Sequence, residues 1–260
     1  MRILAIGDVV GKPGRRGVAA LLPALRRELS LDAVIANGEN AAAGRGLTGK
    51  TAQELFAAGV DIITSGNHIW DQKEIIGHLD ADARILRPAN YPEGAPGRGV
   101  TSLGPLTVIN LMGRTFMYEI DDPFRAADRL LQAVPSGQVI VVDMHAEATS
   151  EKIAMGWYLD GRVAAVFGTH THVPTADQRM LPKGTAFVCD LGMVGARDSI
   201  IGVEAGPVIR KFLTGMPAKF SVEETSKAVT FNSVLIDIDE TSGRARSIER
   251  LDREWEQDAE

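Results

Sequence analysis

The sequence predicts an α/β fold with a largely parallel or mixed β-sheet. Short β-branched apolar runs alternate along the 260 residues with longer amphipathic stretches of helical period. Several of these runs are apolar on both faces, which is typical of strands that are covered by other layers on both sides. The runs predicted as strands are Met1–Gly7, Asp32–Asn37, Val60–Gly66, Leu106–Leu111, Gln138–Asp143, Arg162–Gly168, Thr185–Cys189 and Phe231–Ile238.

Five stretches between these runs are predicted as helices. In the first, Arg15–Leu29, leucine and valine recur on one stripe, and Pro23 predicts a kink or a short first turn. The second begins after Thr48, a good N-cap, and ends before Gly59. This second helix is Lys50–Ala58, and the other three are Phe124–Val134, Ser150–Tyr158 and Val203–Leu213.

Nothing in the sequence indicates a boundary between domains, so we expect a single domain over residues 1–260. The stretch Pro88–Gly104 is rich in loop-forming residues and is a candidate insertion or lid. The mostly acidic tail Leu251–Glu260 is expected to be a solvated end of the chain.

Composition excludes several classes of protein. Lys and Arg total 28 against 34 Asp and Glu, a net charge of −6, so stable binding of long nucleic acids is not expected. Cys189, the single cysteine, excludes a disulfide framework and is predicted to be a buried apolar residue. No run approaches the ~18 apolar residues of a membrane span, and no secretory signal is visible, so we expect a cytoplasmic protein without a membrane partner.

Polar residues follow five of the predicted strands at the point where each strand ends. Taken singly, each has an ordinary explanation as a turn residue, a cap or a satisfied core histidine, and His78 is interpreted as structural. Together they indicate one site, because loops at the carboxyl ends of strands converge on one crevice. The residues are Asp8, Glu39, Asn40, Asn67, His68, His145, His170 and His172.

Oxygen donors from carboxylates and amides, mixed with imidazole nitrogens, favour iron, manganese or zinc and contain too much nitrogen for a calcium site. Seven of these side chains are candidate ligands, which is too many for one catalytic ion with open positions. Two ions ~3.5–4 Å apart with a shared carboxylate would use them all. The seven are Asp8, Glu39, Asn40, Asn67, His145, His170 and His172.

At these residues the sequence resembles the calcineurin-like metallophosphoesterases, and within them the bacterial YmdB-like phosphodiesterases. The resemblance runs from Met1 to about Leu213 and implies a four-layer α/β/β/α sandwich with mixed sheets and a dinuclear site at one end. The strings that carry it are GDVVGKPGR (7–15), ANGENAAAGRGLT (36–48), GNH (66–68), HAEATSEK (145–152), GTHTHVPTAD (168–177) and DSIIG (198–202).

The resemblance also implies a division of the ligands. Asp8, Asn40 and His172 would hold one ion, Asn67, His145 and His170 the other, and Glu39 would bridge them. The chain departs from the wider superfamily at two positions, which fit the YmdB-like branch. Val10 stands where a histidine ligand is usual, and Glu39 stands where a bridging Asp is usual.

The resemblance implies hydrolysis of cyclic nucleotides, chiefly 2′,3′-cyclic nucleotides opened at the 2′ bond. Hydroxide that bridges the two ions would attack phosphorus, and His68 would act as general acid on the leaving ribose oxygen. Basic side chains beside the ligands are candidates for holding phosphate or are plain surface charges. They are Lys12, Arg15, Arg16 and Arg45.

Two alternatives remain open in the sequence. Residues Gly44–Thr51 match the P-loop pattern G-x-x-x-x-G-K-[ST], and Val139–Asp143 resembles a Walker B strand, which would make the chain an NTPase. The second alternative is a non-catalytic regulator that keeps a metal site, since ligands alone do not establish turnover. The sequence also leaves a homo-oligomer possible.

Overall fold

Two β-sheets packed face to face form the centre of the protein in a computed structural model, which describes residues 1–256. The strands are β1 (Arg2–Ile6), β2 (Asp8–Val9), β3 (Ala33–Asn37), β4 (Ile62–Thr64), β5 (Val100–Leu103), β6 (Leu106–Met112), β7 (Val139–His145), β8 (Ala165–Thr169), β9 (Arg179–Met180), β10 (Ala186–Val188), β11 (Met193–Ala196), β12 (Ala228–Phe231), β13 (Ser233–Asp239), β14 (Arg244–Arg250) and β15 (Arg253–Glu256). The helices are α1 (Gly11–Glu28), α2 (Gly49–Ala58), α3 (Ile75–Ala81), α4 (Pro123–Ala133), α5 (Thr149–Leu159) and α6 (Ala205–Thr214).

The first central sheet has the strand order β14-β13-β1-β3-β4, and the second has the order β5-β6-β7-β8-β10-β9. Both are mixed: β1, β3 and β4 are parallel, as are β6, β7, β8 and β10, whereas antiparallel strands lie at the edges. A small third sheet, β15-β12-β11-β2, continues the first layer. The parallel strands therefore end at a common edge of the sandwich.

Three apolar clusters account for the layers. Ile3 and Ile35 of the first sheet pack against Val108, Val141 and other inward-facing residues of the second, which fills the space between the sheets. The outer face of the first sheet packs against α1 and α2, and the outer face of the second packs against α4 and α5. The predicted four-layer α/β/β/α sandwich with mixed sheets is confirmed.

All eight predicted strands are present, although Asn232 divides the last of them between β12 and β13. The five predicted helices are present with shifted ends. Helix α1 begins at Gly11, earlier than expected, and continues through Pro23. Residues on both sides of the proline, Val18, Leu22 and Leu25, are packed in the same apolar cluster, which holds both halves of the helix against the sheet.

The expectation of a solvated tail is wrong for part of that segment. Arg253–Glu256 forms β15, which pairs antiparallel with β12, and its Trp255 packs against the core. Residues 257–260 lie outside the described part of the chain. Loop Pro88–Gly104 contains β5 and is held by the Arg87 guanidinium, which donates to the carbonyls of Pro88, Ala95 and Pro96. None of the helices within residues 1–256 is long and apolar enough to cross a membrane.

Candidate metal centre

The eight predicted site residues lie at one edge of the sandwich, where strands of both central sheets end. Asp8 follows β1, Glu39 and Asn40 follow β3, and Asn67 and His68 follow β4, all in the first sheet or its continuation. His145 ends β7, and His170 and His172 follow β8 of the second sheet. The site is therefore shared by the two sheets.

Three of these residues converge on the Nε2 atom of His145. Asn67 Oδ1 lies 2.9 Å from it, His170 Nδ1 3.0 Å and Glu39 Oε1 3.1 Å. One ring nitrogen has a single proton or a single lone pair, so these contacts cannot all be hydrogen bonds at once. Separations of about 3 Å are those of donor atoms that share one ion at about 2.1 Å.

A second group lies beside the first. His172 Nε2 is 3.1 Å from the Asn40 side-chain amide and 3.7 Å from Asp8 Oδ1. The oxygen and nitrogen of an amide differ only by a flip of the group, so Asn40 is able to present its oxygen in this direction. Asp8, Asn40 and His172 therefore form a second group of potential ligands.

The two buried carboxylates are arranged alike. One oxygen of each accepts a backbone N–H: Asp8 Oδ2 from His170, at 3.1 Å, and Glu39 Oε2 from His68, at 3.0 Å. The other oxygens, Asp8 Oδ1 and Glu39 Oε1, are buried without a hydrogen bond to any described residue. A buried carboxylate oxygen without a donor is costly unless a cation balances it.

Each of the three histidines has an outer ring nitrogen held by an acceptor. His172 Nδ1 lies 2.9 Å from the Ile201 carbonyl, and His170 Nε2 lies 3.1 Å from the Glu147 carboxylate. His145 Nδ1 lies 3.0 Å from the Thr169 hydroxyl. Acceptors at these positions put the proton on the outer nitrogen, so each inner nitrogen directs a lone pair into the site, as metal-ligating histidines do.

The hydrogen bond to Thr169 is fixed in direction by a further partner. Thr169 Oγ1 donates to Asp143 Oδ1 at 2.7 Å, so toward His145 it acts as the acceptor. Burial raises the pKa of Asp143 to about 7, an increase that its hydrogen bonds with Thr64 and Thr169 reduce. Asp143 therefore orients His145 through Thr169 without contacting the site.

Burial and neighbouring charges shift the pKa values of the two carboxylates, Asp8 and Glu39, in opposite directions. Burial raises the pKa of Asp8 to about 6, although His172 and His145 oppose the increase. Burial also raises the pKa of Glu39, but His145 and the backbone of His68 outweigh it and set the value at about 2. Glu39 is thus ionised at neutral pH.

The pKa values of two of the histidines are also shifted in opposite directions. Burial lowers the pKa of His145, but Glu39 and Asp8 outweigh it and raise the value to about 9. Burial, and then the charge on His145, lower the pKa of His170 to about 3. A proton on His145 Nε2 therefore occupies the same position that a metal ion would take, and the two compete for it.

The residues present fit a metal centre. Glu39, His145 and His170 are a group whose ligand atoms all lie within 4.8 Å of one another. With Asp8, Asn40, Asn67 and His172, they supply the mixture of nitrogen and oxygen donors that suits iron, manganese or zinc.

His68 lies beside the metal-type ligands and is not one of them. Its backbone contacts Glu39, whereas its ring Nδ1 is 2.9 Å from Asp71 Oδ2. His68 lines a cavity of 560 Å³ together with Glu39, Asn40, His172 and other residues. Because Asp71 accepts the Nδ1 proton, Nε2 is the nitrogen available to a molecule in this cavity.

Sequence reasoning missed the residues that orient these side chains. Asp71, Glu147, Thr169 and Asp143 were not selected, and the Ile201 carbonyl has no signature in the sequence. A signal was available for one of them: Asp71 follows His68 by three residues, whereas Glu147 follows His145 by two and yet contacts His170. Carboxylates that close to a candidate histidine are worth testing as its orienting partners.

Only one of the four basic candidates, Arg45, lines the cavity with His68. Lys12, Arg15 and Arg16 line a different recess, formed by α1 and α2. Arg15 also donates to Glu54 at 2.5 Å and to the Ala41 carbonyl. The structure therefore does not place these three side chains at the predicted site.

The P-loop match forms a capped helix start and not a phosphate cradle. Thr48 and Thr51 make a reciprocal capping box, which engages the Thr51 hydroxyl with the Thr48 backbone. The Gly49 amide donates to Glu74 at 3.2 Å, and Lys50 faces the separate recess of α1 and α2. Groups that a P-loop directs at phosphates are used here for other contacts.

Gly66 gives a prediction about packing at the site. A Cβ at this position would overlap the His145 ring, so we expect Gly66→Ala to lower the free energy of unfolding by about 1–3 kcal/mol and to reduce bound metal. Thermal unfolding and elemental analysis measure the two effects. Gly77→Ala in α3 is the matched control, because its Cβ meets nothing within 4 Å and the change is expected to be neutral or stabilising. Equal behaviour of the two variants would contradict the prediction.

Comparisons with known proteins identify the family and the fold of this chain. A family model described as YmdB-like protein matches residues 4–251. A curated relative from Bacillus subtilis (strain 168), named 2′,3′-cyclic-nucleotide 2′-phosphodiesterase, is 50% identical over 256 residues, which cover 96% of both chains. The crystal structure of a Mycoplasma pneumoniae protein described as a novel phosphatase is 33% identical, covers 99% of this chain and 95% of that one, and superposes with a TM-score of 0.92.

A more distant structure shows the wider fold. The calcineurin-like phosphoesterase YfkN from Bacillus subtilis is 11% identical, with a TM-score of 0.54 over 97% of this chain and 90% of that one. The predicted enzyme class, phosphodiesterase, is confirmed by the relative that is 50% identical. The chain belongs to the YmdB-like protein family and has the calcineurin-like phosphoesterase fold.

Proposed function

We propose that this protein is a dinuclear metal-dependent phosphodiesterase, built as one domain, that opens 2′,3′-cyclic nucleotides at the 2′ bond. One observation carries the proposal: two buried carboxylate oxygens without donors and three imidazole lone pairs face the same space. A buried carboxylate oxygen without a donor needs a cation to balance it. Metal ions supply that balance.

The distances support two ligand groups. Asn67, His145 and His170 would hold one ion, and Asp8, Asn40 and His172 the other. Glu39 Oε1 lies 3.1 Å from His145 Nε2 in the first group, and its charge also acts on Asp8 of the second, so Glu39 would help to hold both ions. When bound, such ions lower the pKa of water and neutralise phosphate oxygens, which is the chemistry that phosphodiester hydrolysis requires. Iron and manganese are the proposed metals, with zinc as the alternative.

His68 supplies the remaining group. A cyclic phosphodiester loses an alkoxide oxygen, whose poor leaving ability is improved by proton donation in the transition state. His68 lines the cavity, while Asp71 accepts a hydrogen bond from Nδ1 and leaves Nε2 for the substrate. The proposed role of His68 is to hold this proton and pass it to the departing ribose 2′ oxygen.

A small substrate suits both the shape and the charge of the protein. The 560 Å³ cavity accommodates a nucleotide-sized molecule, and Arg45 lies at its wall. The net charge of −6 disfavours long polyanions, whereas bound cations would create a local positive region for one phosphate. The name of the Bacillus subtilis relative supports 2′,3′-cyclic nucleotides as the substrate class.

Two measurements test the proposal. Hydrolysis of bis-p-nitrophenyl phosphate is expected with added Mn²⁺ or Fe²⁺ and is expected to stop with excess chelator. Product analysis on 2′,3′-cyclic AMP is expected to give the 3′-monophosphate, since breaking the bond to the 2′ oxygen leaves the phosphate on the 3′ oxygen. Metal-loaded protein that cleaves neither compound would instead support the non-catalytic regulator.

A further inference from the structure

Phe116 is an aromatic residue in an unfavourable setting. Its side chain is 90% exposed, and its backbone has a positive φ of 62°. Left-handed backbone at a bulky non-glycine residue costs of the order of 1 kcal/mol, and an exposed phenyl ring gains nothing from burial. Neither feature contributes to folding, so both indicate a role in binding.

The loop that carries Phe116 is firmly anchored on both sides. The backbone N–H groups of Arg114 and Thr115 donate to the Glu151 carboxylate at 3.0–3.2 Å. The Arg114 guanidinium donates to Asp122 at 2.6 Å, and Asn90 donates to the Asp121 carbonyl at 2.8 Å. The loop therefore presents its tip in a defined position, and the exposure of Phe116 is a built feature of the structure.

The tip lies next to the candidate metal centre. Phe116, Met117 and Tyr118 form one wall of a recess of 250 Å³, and Asn67 and His170 form the other. Tyr118 is also exposed, at 54%. This recess and the 560 Å³ cavity share His170, so a molecule held at the metal centre is able to extend a flat group over the aromatic wall.

We propose that Phe116 and Tyr118 form a stacking platform for the nucleobase of the substrate. The inference rests on the proposed function, because it assigns the base subsite of that same site. A base attached to a ribose whose phosphate lies among the metal ligands needs a planar, apolar contact within one sugar of the phosphate, and the recess provides it. An aromatic ring is able to stack on any of the bases, because each base has a π-face.

Phe220 is another aromatic residue near the site, and it is less suitable. It lines the 560 Å³ cavity, but Lys211 Nζ lies 5.1 Å from its ring centroid and occupies one face. The ring of Phe116 is open to solvent beside the recess. The platform is therefore assigned to the Phe116 loop, and Phe220 is an alternative that the experiment separates.

The test compares two substrates that share the cyclic phosphodiester. One is 2′,3′-cyclic AMP, and the other is ribose 2,3-cyclic phosphate with a methoxy group in place of the base. Phe116→Ala is expected to raise KM for cyclic AMP by roughly 10- to 100-fold, the range of base–aromatic stacking, and to leave kinetics on the base-free ester unchanged. Phe116→Trp is expected to retain the wild-type KM.

Phe212→Ala is the matched control, since Phe212 on α6 is 83% exposed and lies away from both recesses. Phe116→Gly separates stacking from folding: glycine accepts the positive φ, so stability is expected to be maintained while KM for cyclic AMP rises as in Phe116→Ala.

Three results would overturn the platform: unchanged KM for cyclic AMP in Phe116→Ala, an equal loss on the base-free ester, or a base-dependent loss in Phe220→Ala alone. An oligomer that dissociates in Phe116→Ala with unchanged kinetics also contradicts it and assigns the ring to contact with a second copy. Failure of the proposed function is distinct, because wild-type protein would then cleave neither ester.

Discussion

Replacing Glu39 by Gln is expected to lower kcat/KM on 2′,3′-cyclic nucleotides by about 10³-fold or more, the rate equivalent of several kcal/mol of lost charge stabilisation. Glu39 is fully buried, is ionised with a pKa of about 2, and is the proposed ligand of both ions. The amide keeps the size of the side chain and removes its negative charge. Bound metal is therefore expected to fall from two ions per chain to one or none, as measured by elemental analysis.

Glu254→Gln is a suitable control, because it makes the same chemical change at an exposed position on β15. It is expected to bind metal and turn over as wild type. A Glu39→Gln variant that keeps two ions and full activity would show that the carboxylate does not bridge. One that keeps two ions but loses activity would place its role in turnover alone.

His68→Ala is expected to lower kcat on 2′,3′-cyclic AMP by roughly 10²- to 10⁴-fold, the usual contribution of general acid catalysis. Metal content is expected to stay near wild type, because His68 contacts Glu39 only through its backbone N–H, which alanine retains. The loss is expected to be far smaller on bis-p-nitrophenyl phosphate, since p-nitrophenolate leaves without a proton. A much larger loss on 2′,3′-cyclic AMP than on bis-p-nitrophenyl phosphate would identify His68 as the general acid.

Equal losses of activity on both substrates would contradict the role of His68 as general acid and would indicate that it binds the phosphate. Asp71→Asn gives an independent check, because it weakens the hydrogen bond that orients the His68 ring while keeping the size of the partner side chain. A smaller loss than in His68→Ala is expected, again mainly on the cyclic nucleotide. His78→Ala, at an exposed histidine outside the cavity, is the matched control.

The ligand-type residues were predictable because local sequence determines both parts of the pattern. A buried parallel strand is a short apolar run, and its carboxyl end is where a polar residue such as His145 interrupts the run. Parallel pairing then brings these ends together regardless of their separation in the chain. The same reasoning found eight strands, but missed the short buried strand β11 and also β14, whose sequence alternates charged and small residues at a sheet edge.

The orienting partners were less accessible to sequence reasoning. Thr169 and Asp143 are buried polar residues inside apolar strands, and their hydrogen bond depends on the register between β7 and β8. The Ile201 carbonyl reaches His172 across 29 residues of loop and strand, and a backbone atom has no residue type to recognise. The pose of Phe116 follows from a turn anchored by Glu151, 35 residues away in the sequence. Such contacts are set by tertiary packing and not by periodicity.

The division of the ligands between the two sheets has a thermodynamic consequence. Asp8, Glu39, Asn40 and Asn67 belong to one half of the sandwich, and His145, His170 and His172 to the other. Unfolding separates these halves and disperses the donors over 165 residues of chain, from position 8 to position 172 counted inclusively. Ions held there would bind only the folded protein and would connect the two halves of the sandwich. At a free concentration of 100 times the dissociation constant, each ion would add about 2.7 kcal/mol to the free energy of unfolding. Metal binding at this edge of the sandwich and the free energy of unfolding of the whole protein are thereby linked.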